Sequence, residues 1–376
     1  MKAYIQRNLP AYIQLIKTLT AIPAPSHKEQ QKAEYIRQWM VALAARTGFP
    51  LNIFIDDATN VVCECFADPD PAQVTLFLAH TDTVFPDEQP IEVLEDDRVI
   101  AAPGVGDDTT NVAAMMMGIQ YLAEQQLRPQ QNVVFVFNSC EEGLGNLKGC
   151  RAVMERYAGK VCEFISFDGG YSKLVDTAVG SERFRICIKT EGGHSFSSFG
   201  NRNAIAVMAE LIHRLYQIDA GAYPGRTTYN VGIIEGGTSV NTIAQQAEML
   251  FEYRSDRKQS LQGIQAECAA IFQEFSEKYD MTTELLGSRP SMGEVDPKAM
   301  DQLINEVSQI TQQVTGIWPK RESSSTDCNI PLSLGIPATC IGAYAGKGAH
   351  TREEYVLKDS LPAGLEILIR ILLRKF

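Results

Sequence analysis

Several features are missing from this chain of 376 residues. No apolar run approaches the ~20 residues needed to span a bilayer, so a membrane-spanning helix is not expected. No cluster of lysine and arginine stands out. Acidic residues outnumber basic ones 46 to 34, and the formal net charge is −12. Neither a nucleic-acid surface nor an anionic-membrane surface is expected from that balance. The nine cysteines are scattered and show no zinc-finger spacing. Cys140, Cys162, Cys187 and Cys340 sit in apolar runs, where a free thiol packs as a small hydrophobe. The first residues carry one early lysine and no apolar block with a small-residue cleavage site. They read as an amphipathic helix rather than a secretion signal. Together with the odd cysteine count, this predicts a reducing, cytoplasmic setting. Internal repeats and low-complexity linkers are also missing.

What is there is an α/β pattern. The apolar fraction of 45% is that of an ordinary globular protein, and the length predicts two domains. Ser26 and Glu29 have the spacing of a capping box, which predicts a helix from there to about Arg46. The runs VTLFLA, NVVFVF and EFISF are continuously apolar, as central strands covered on both faces are. Helical patterns between them predict crossovers and a mostly parallel sheet flanked by helices. IEVLED and RVIAA read as a hairpin. Near residue 180 the pattern changes to alternation, in RFRICIKT. The order from there is βαββαβ, a ferredoxin-like α+β unit. The predicted organisation is a metal-binding catalytic domain of residues 1–178 and 290–376, interrupted by an inserted domain of residues 179–289.

The predicted strands end in groups able to bind metal. VTLFLA runs into His80. NVVFVFNSC runs into Glu141 and Glu142. EFISF runs into Asp168, and ATCIGAYAGKGA into His350. Asp107 lies in the glycine turn PGVGDD before a helix. Sites in open α/β sheets form at the carboxyl ends of strands, so these groups can converge. Taken singly, each has an ordinary reading: a structural histidine, a solvated acidic pair, a helix cap or a turn residue. Taken together, clustered carboxylates repel one another without a cation. Imidazole and carboxylate donors suit zinc or another borderline divalent ion. Two ions need a bridging carboxylate, for which Asp107 is the candidate. His80 with Asp168 would then serve one ion, and Glu142 with His350 the other. Paired ions about 3.5–4 Å apart lower the pKa of a shared water and polarise a carbonyl. Glu141, next to a ligand, is placed to act as general base. On an extended chain Asp82 points to the same side as His80, so its carboxylate can accept the second N–H of that ring and fix its tautomer.

The ordered motifs HTDTV, PGVGDD, EEG and GAHTREE resemble the co-catalytic zinc exopeptidase and amidohydrolase family. That family includes peptidase T, glutamate carboxypeptidase, aminoacylase, acetylornithine deacetylase and succinyl-diaminopimelate desuccinylase. The resemblance covers essentially the whole chain. It implies that His80, Asp107, Glu142, Asp168 and His350 bind two zinc ions, with cobalt or manganese as other candidates. It implies that Glu141 is the base and that Asp82 orients His80. The inserted domain would be a lid that also forms a homodimer. By the same resemblance, His194 in EGGHSFSSFG would stabilise the oxyanion. Arg254 in FEYRSD would bind a substrate carboxylate, and Asn241 in GGTSVNTIA would lie near it.

The chain departs from the family's commoner patterns in two places. Thr109, Thr110 and Asn111 follow the Asp-Asp pair where Lys-Gly is frequent. The lid motif differs from the commoner Ala-His-Ala-Gly. Deacylating members usually carry glutamate where Asp168 stands, which tilts the expectation toward hydrolysis of short peptides. The alternative is an N-acyl amino-acid amidohydrolase. A non-catalytic binding protein would be expected to have lost some of these ligands, and all are present.

Overall fold

The computed structural model describes residues 1–68 and 71–376. Its contacts divide the chain into two compact units, Met1–Thr177 with Glu294–Phe376, and Ala178–Gly293. The second interrupts the first in sequence.

The first unit is built on an eight-stranded sheet. At its centre Val133–Asn138, Val74–His80, Val161–Ser166 and Ala338–Ile341 lie side by side and run parallel. Asn52–Ile55 and Val61–Cys65 extend one side with antiparallel pairing. Lys173–Ala178 adds to the other side, again antiparallel. Every residue of Val74–His80 and of Val133–Asn138 is buried, which accounts for their unbroken apolar runs. Helices Asn111–Glu124 and Leu361–Leu372 are each mostly buried. They meet at Gly118, where an added Cβ would lie 2.6 Å from Leu368 Cδ2. The predicted hairpin is present: Leu94–Glu95 pairs with Val99–Ala101.

Ser26 and Glu29 do not form the predicted capping box. The helix starts at Gln30, and no side chain among the described residues caps it. Ser26 Oγ instead donates to Asp82 Oδ2 at 2.6 Å. Glu29 Oε1 accepts the N–H groups of His27 and Cys140, each at 3.0 Å. The polar pair before the helix is thus drawn into longer-range bonds with the ends of two central strands. A carboxylate acceptor makes a charge-assisted bond, stronger than the local alternative.

The second unit has a four-stranded sheet in the order Thr227–Gly236, Gln246–Ser255, Gly180–Lys189, Asp280–Arg289, with every neighbouring pair antiparallel. Helices Ala204–Leu215 and Lys258–Lys278 complete the βαββαβ order, and the strand arrangement is ferredoxin-like. Alternate strand residues Ile186, Ile188, Met249, Phe251 and Tyr253 pack with Leu211, Ile264 and Phe275 from the helices. The strands therefore alternate in sequence, whereas those of the first unit do not.

Candidate active site

Five side chains from the ends of separate elements converge in the first unit. His80 ends the strand Val74–His80, and Glu142 follows Val133–Asn138. Asp168 follows Val161–Ser166, Asp107 lies before the helix Asn111–Glu124, and His350 lies beyond Ala338–Ile341. Donor atoms of His80, Asp107 and Asp168 lie within 4.8 Å of one another, and so do those of Asp107, Glu142 and His350. The two groups share Asp107. Its Oδ1 is 3.0 Å from His80 Nε2, and its Oδ2 is 3.1 Å from His350 Nε2. His350 Nε2 is also 3.1 Å from Glu142 Oε1.

The loop carrying Asp107 is shaped by what surrounds it. Glu354 accepts from the backbone N–H groups of Gly104 (2.7 Å), Gly106 (3.1 Å) and Asp107 (2.8 Å). A Cβ on Gly106 would lie 2.6 Å from the Tyr344 hydroxyl oxygen and 2.8 Å from Glu354 Oε1, so only glycine fits against them. The Asp107–Asp108 peptide is cis. Asp108 turns inward: its Oδ2 accepts the His80 N–H at 3.0 Å and its Oδ1 the Asn111 amide at 2.6 Å. Asn111 Oδ1 in turn accepts the Ala343 N–H at 2.7 Å. Asn111, the third residue after the Asp-Asp pair, therefore ties the helix start to the segment just beyond the strand Ala338–Ile341.

Asp82 is fully buried and does more than the sequence predicted. Its Oδ1 lies 3.4 Å from His80 Nδ1, but that ring nitrogen is nearer to the Asp82 backbone carbonyl, at 3.1 Å. Both acceptors favour a hydrogen on Nδ1 and leave Nε2 facing Asp107. The carboxylate also accepts the N–H groups of Glu141 (2.9 Å) and Glu142 (3.0 Å). Asp82 thus positions the acidic pair as well as the histidine. Cys140, just before that pair, has a φ of 56°, strained for a residue with a side chain, and its N–H is held by Glu29.

The electrostatics match a cation-binding cluster. Burial pushes the Asp168 carboxyl well above its ordinary range, and the Asp107 charge pushes it further. Burial raises Glu142 to about 7, with Asp107 and Glu141 adding to the rise and the His350 bond opposing it. Burial would also raise Asp107, but bonds from His350 and His80 outweigh it and hold that carboxyl low. Hydrogen bonds to Asp107 and Glu142 push His350 up to about 11. The buried Lys32 ammonium is lowered to about 8 by burial, although Asp82 and Asp108 pull the other way. Like-charged carboxylates packed this closely need positive charge, and the donor set of two imidazoles with carboxylates fits divalent ions.

The remaining predicted residues belong to the second unit. His194 is exposed, and its short strand pairs with Thr242–Ile243. Its Nδ1 accepts from the N–H of Phe196 (3.2 Å) and Ser197 (3.4 Å). Asn241 is its neighbour, with its carbonyl accepting the Ser195 N–H at 3.0 Å. Arg254 makes two bonds of 2.9 Å to Glu252. Sequence reasoning missed Ser26, Asp108, Asn111 and Glu354. Glu354 was signalled by its place in GAHTREE and Asp108 by its place in PGVGDD; Ser26 read as a local cap, and Asn111 carries no distinctive local pattern.

Strand-end candidate ligands around one shared carboxylate, with an acid beside them, are the arrangement expected of a metallopeptidase or amidohydrolase. The sequence profile described as Peptidase family M20/M25/M40 matches residues 76–374, and the chain belongs to that family. It is 25% identical over 267 residues to a succinyl-diaminopimelate desuccinylase of Nitrosomonas eutropha, spanning 66% of this chain and 68% of that protein. A desuccinylase of Pseudomonas fluorescens is 24% identical over 322 residues, with 80% and 82% covered. Among solved structures, a Staphylococcus aureus tripeptidase superposes with a TM-score of 0.76 at 20% identity, covering 98% of this chain and 99% of that one. Aminopeptidase PepT from Bacillus cereus gives 0.74 at 20% identity, with 97% and 98% covered. These structures share the fold. No helix among the described residues is long and apolar enough to cross a membrane.

Proposed function

We propose that this protein is a dinuclear zinc exopeptidase that hydrolyses amide bonds in short peptides. The observation that carries the reading is Asp107, whose two oxygens face two different imidazoles, each within a separate group of candidate ligands. His80, Asp107 and Asp168 would hold one ion, and Asp107, Glu142 and His350 the other. Zinc suits this mixture of nitrogen and oxygen donors, and cobalt or manganese could occupy the same ligands. When bound, the ions supply the positive field that acidifies a water and polarises the substrate carbonyl.

The chain's own residues do the rest. Glu141 takes the proton of the attacking water and returns it to the leaving amine. Asp82 holds the Glu141–Glu142 backbone and the His80 tautomer in place. His194 accepts at Nδ1, which leaves its Nε2–H free to donate to the oxyanion. Arg254 presents a guanidinium to a substrate carboxylate, with Asn241 beside it. The peptide reading is supported by Asp168 and by structural likeness to a tripeptidase and an aminopeptidase.

The inserted unit is proposed as a lid and as the surface of a homodimer. Its edge strand Thr227–Gly236 exposes Ile233 and Ile234, which supports pairing with a second copy. All nine cysteines are free, in keeping with a cytoplasmic setting.

A second reading, an N-acyl amino-acid amidohydrolase, is favoured by the sequence relatives named as desuccinylases. Metal-reconstituted enzyme assayed on di- and tripeptides beside N-acetyl and N-succinyl amino acids separates the two. Turnover confined to the acylated substrates would overturn the peptidase reading.

A further inference from the structure

Asn138 ends the strand Val133–Asn138 and lies beside His80 in the parallel ladder. Its backbone carbonyl accepts both the N–H (2.7 Å) and the hydroxyl (3.0 Å) of Thr81. Its side-chain amide donates to Asp327 Oδ2 at 2.7 Å. Asp327 lies in the turn before the helix Asn329–Ser333. The exposures of Asn138 and Asp327 are 0% and 1%. The other oxygen of each group, Asn138 Oδ1 and Asp327 Oδ1, is buried with no hydrogen-bond partner among the described residues.

An ionised carboxylate offers two acceptors to an amide that has one donor edge and one acceptor edge. Turning the amide over only exchanges which carboxylate oxygen is satisfied. One proton removes the conflict: the amide N–H donates to one carboxyl oxygen, and the carboxyl O–H donates to the amide oxygen. We propose that Asp327 is held as a neutral carboxylic acid paired in this way with Asn138, and that it is a positioning residue for Glu141.

The surroundings favour the neutral form. Burial raises the Asp327 carboxyl to about 7, with the Glu141 charge adding to the rise and His80 and the Asn138 bond opposing it. Asp82 adds to the rise as well. The Cys150 thiol, packed from the neighbouring helix, donates to the Asp327 backbone carbonyl at 3.3 Å rather than to the carboxyl. Cys328 and Cys340 also lie near Asp327, and burial raises both thiols, so they add no charge at neutral pH. The chain reaches Glu141 three residues after Asn138. A neutral pair anchors the end of that strand without setting another negative charge beside Glu141. That role rests on reading Glu141 as the base, whereas the proton on Asp327 does not.

The test uses metal-loaded full-length enzyme and the variants Asp327→Asn and Asp327→Ala. Infrared difference spectra at mildly acid pH should show a protonated-carboxyl C=O band in the wild type that Asp327→Asn removes. An amide at position 327 reproduces the neutral pairing. Asp327→Asn should therefore keep kcat within a few-fold and move the alkaline fall in kcat to higher pH. Asp327→Ala should lower kcat at least tenfold with a smaller change in KM. If Asp327→Asn removes no such band, the carboxyl is ionised and the proposal fails. If the band is present but neither variant alters kcat or its alkaline limb, the positioning role fails. Wild-type enzyme that shows the band but turns over no amide would instead sink the proposed function and leave the proton assigned.

Discussion

Glu354 Oε1 accepts the backbone N–H of Asp107 at 2.8 Å. The same carboxylate takes two glycine amides of that loop, so Asp107, the proposed bridge, is held by its backbone as well as by the imidazoles it faces. Glu354→Gln keeps the shape but leaves one acceptor oxygen for three donors. Metal affinity should fall about 10–100-fold with the fold retained. Competition titration against a chelator, with circular dichroism as the control, measures it; unchanged affinity would mean that the loop does not depend on this carboxylate.

Glu141→Gln removes the proposed base and none of the five proposed ligands. Metal content should stay at the wild-type value while kcat falls about a hundred- to ten-thousand-fold. His80→Ala should behave in the opposite way and lose at least one ion per chain. Elemental analysis beside steady-state kinetics reads both. Two ions retained in His80→Ala, or full turnover in Glu141→Gln, would break the assignment.

Asp82→Asn tests the shared acceptor. The carboxylate serves Ser26, Glu141, Glu142 and the His80 ring, and an amide must turn its NH2 toward at least one of those donors. The expected loss is about 10–100-fold in activity or metal affinity. Activity and affinity both at wild-type values would show that the backbone carbonyl of Asp82 alone suffices to orient His80.

Metal uptake should release protons. In the metal-free protein, bonds to Asp107 and Glu142 raise His350 to about 11, and burial raises Glu142 to about 7. Both groups hold more protons than their unfolded counterparts do over the intervening pH range. Ligation strips them, so apparent affinity should rise with pH. The sign for metal-free stability is the reverse. The contribution of His350 is complete below about pH 6.5, the ordinary value, and is lost as pH climbs toward 11. Calorimetry in buffers of different ionisation heats counts the protons. Zero release at pH 7 would contradict the clustered geometry.

The candidate site was legible because its proposed ligands stand where apolar runs stop. VTLFLAH is a strand whose every side chain is buried, so a histidine at its end is conspicuous. The alternating strands of the second unit were as plain, since one face meets helices and the other does not. What escaped was whatever depends on distant chain segments meeting. Ser26 and Glu29 have the spacing of a local cap, and spacing cannot reveal that Asp82 and Cys140 compete for them. Asp108 stands just before a helix, where an acid would ordinarily serve as a cap, yet it faces inward to His80 and Asn111. Asp82 was read as a partner of one ring, but its acceptors also gather two backbone amides that sequence periodicity does not register.

The sharing of Asp107 between His80 and His350 has a consequence for biogenesis. One imidazole comes before the inserted unit and the other after it. During synthesis, therefore, the full set of proposed ligands cannot assemble until the last segment of the first unit has emerged. A chain truncated after Gly293 would carry His80, Asp107, Glu142 and Asp168 but neither His350 nor Glu354. Tight capture of both ions would then serve as a checkpoint on completion of the polypeptide.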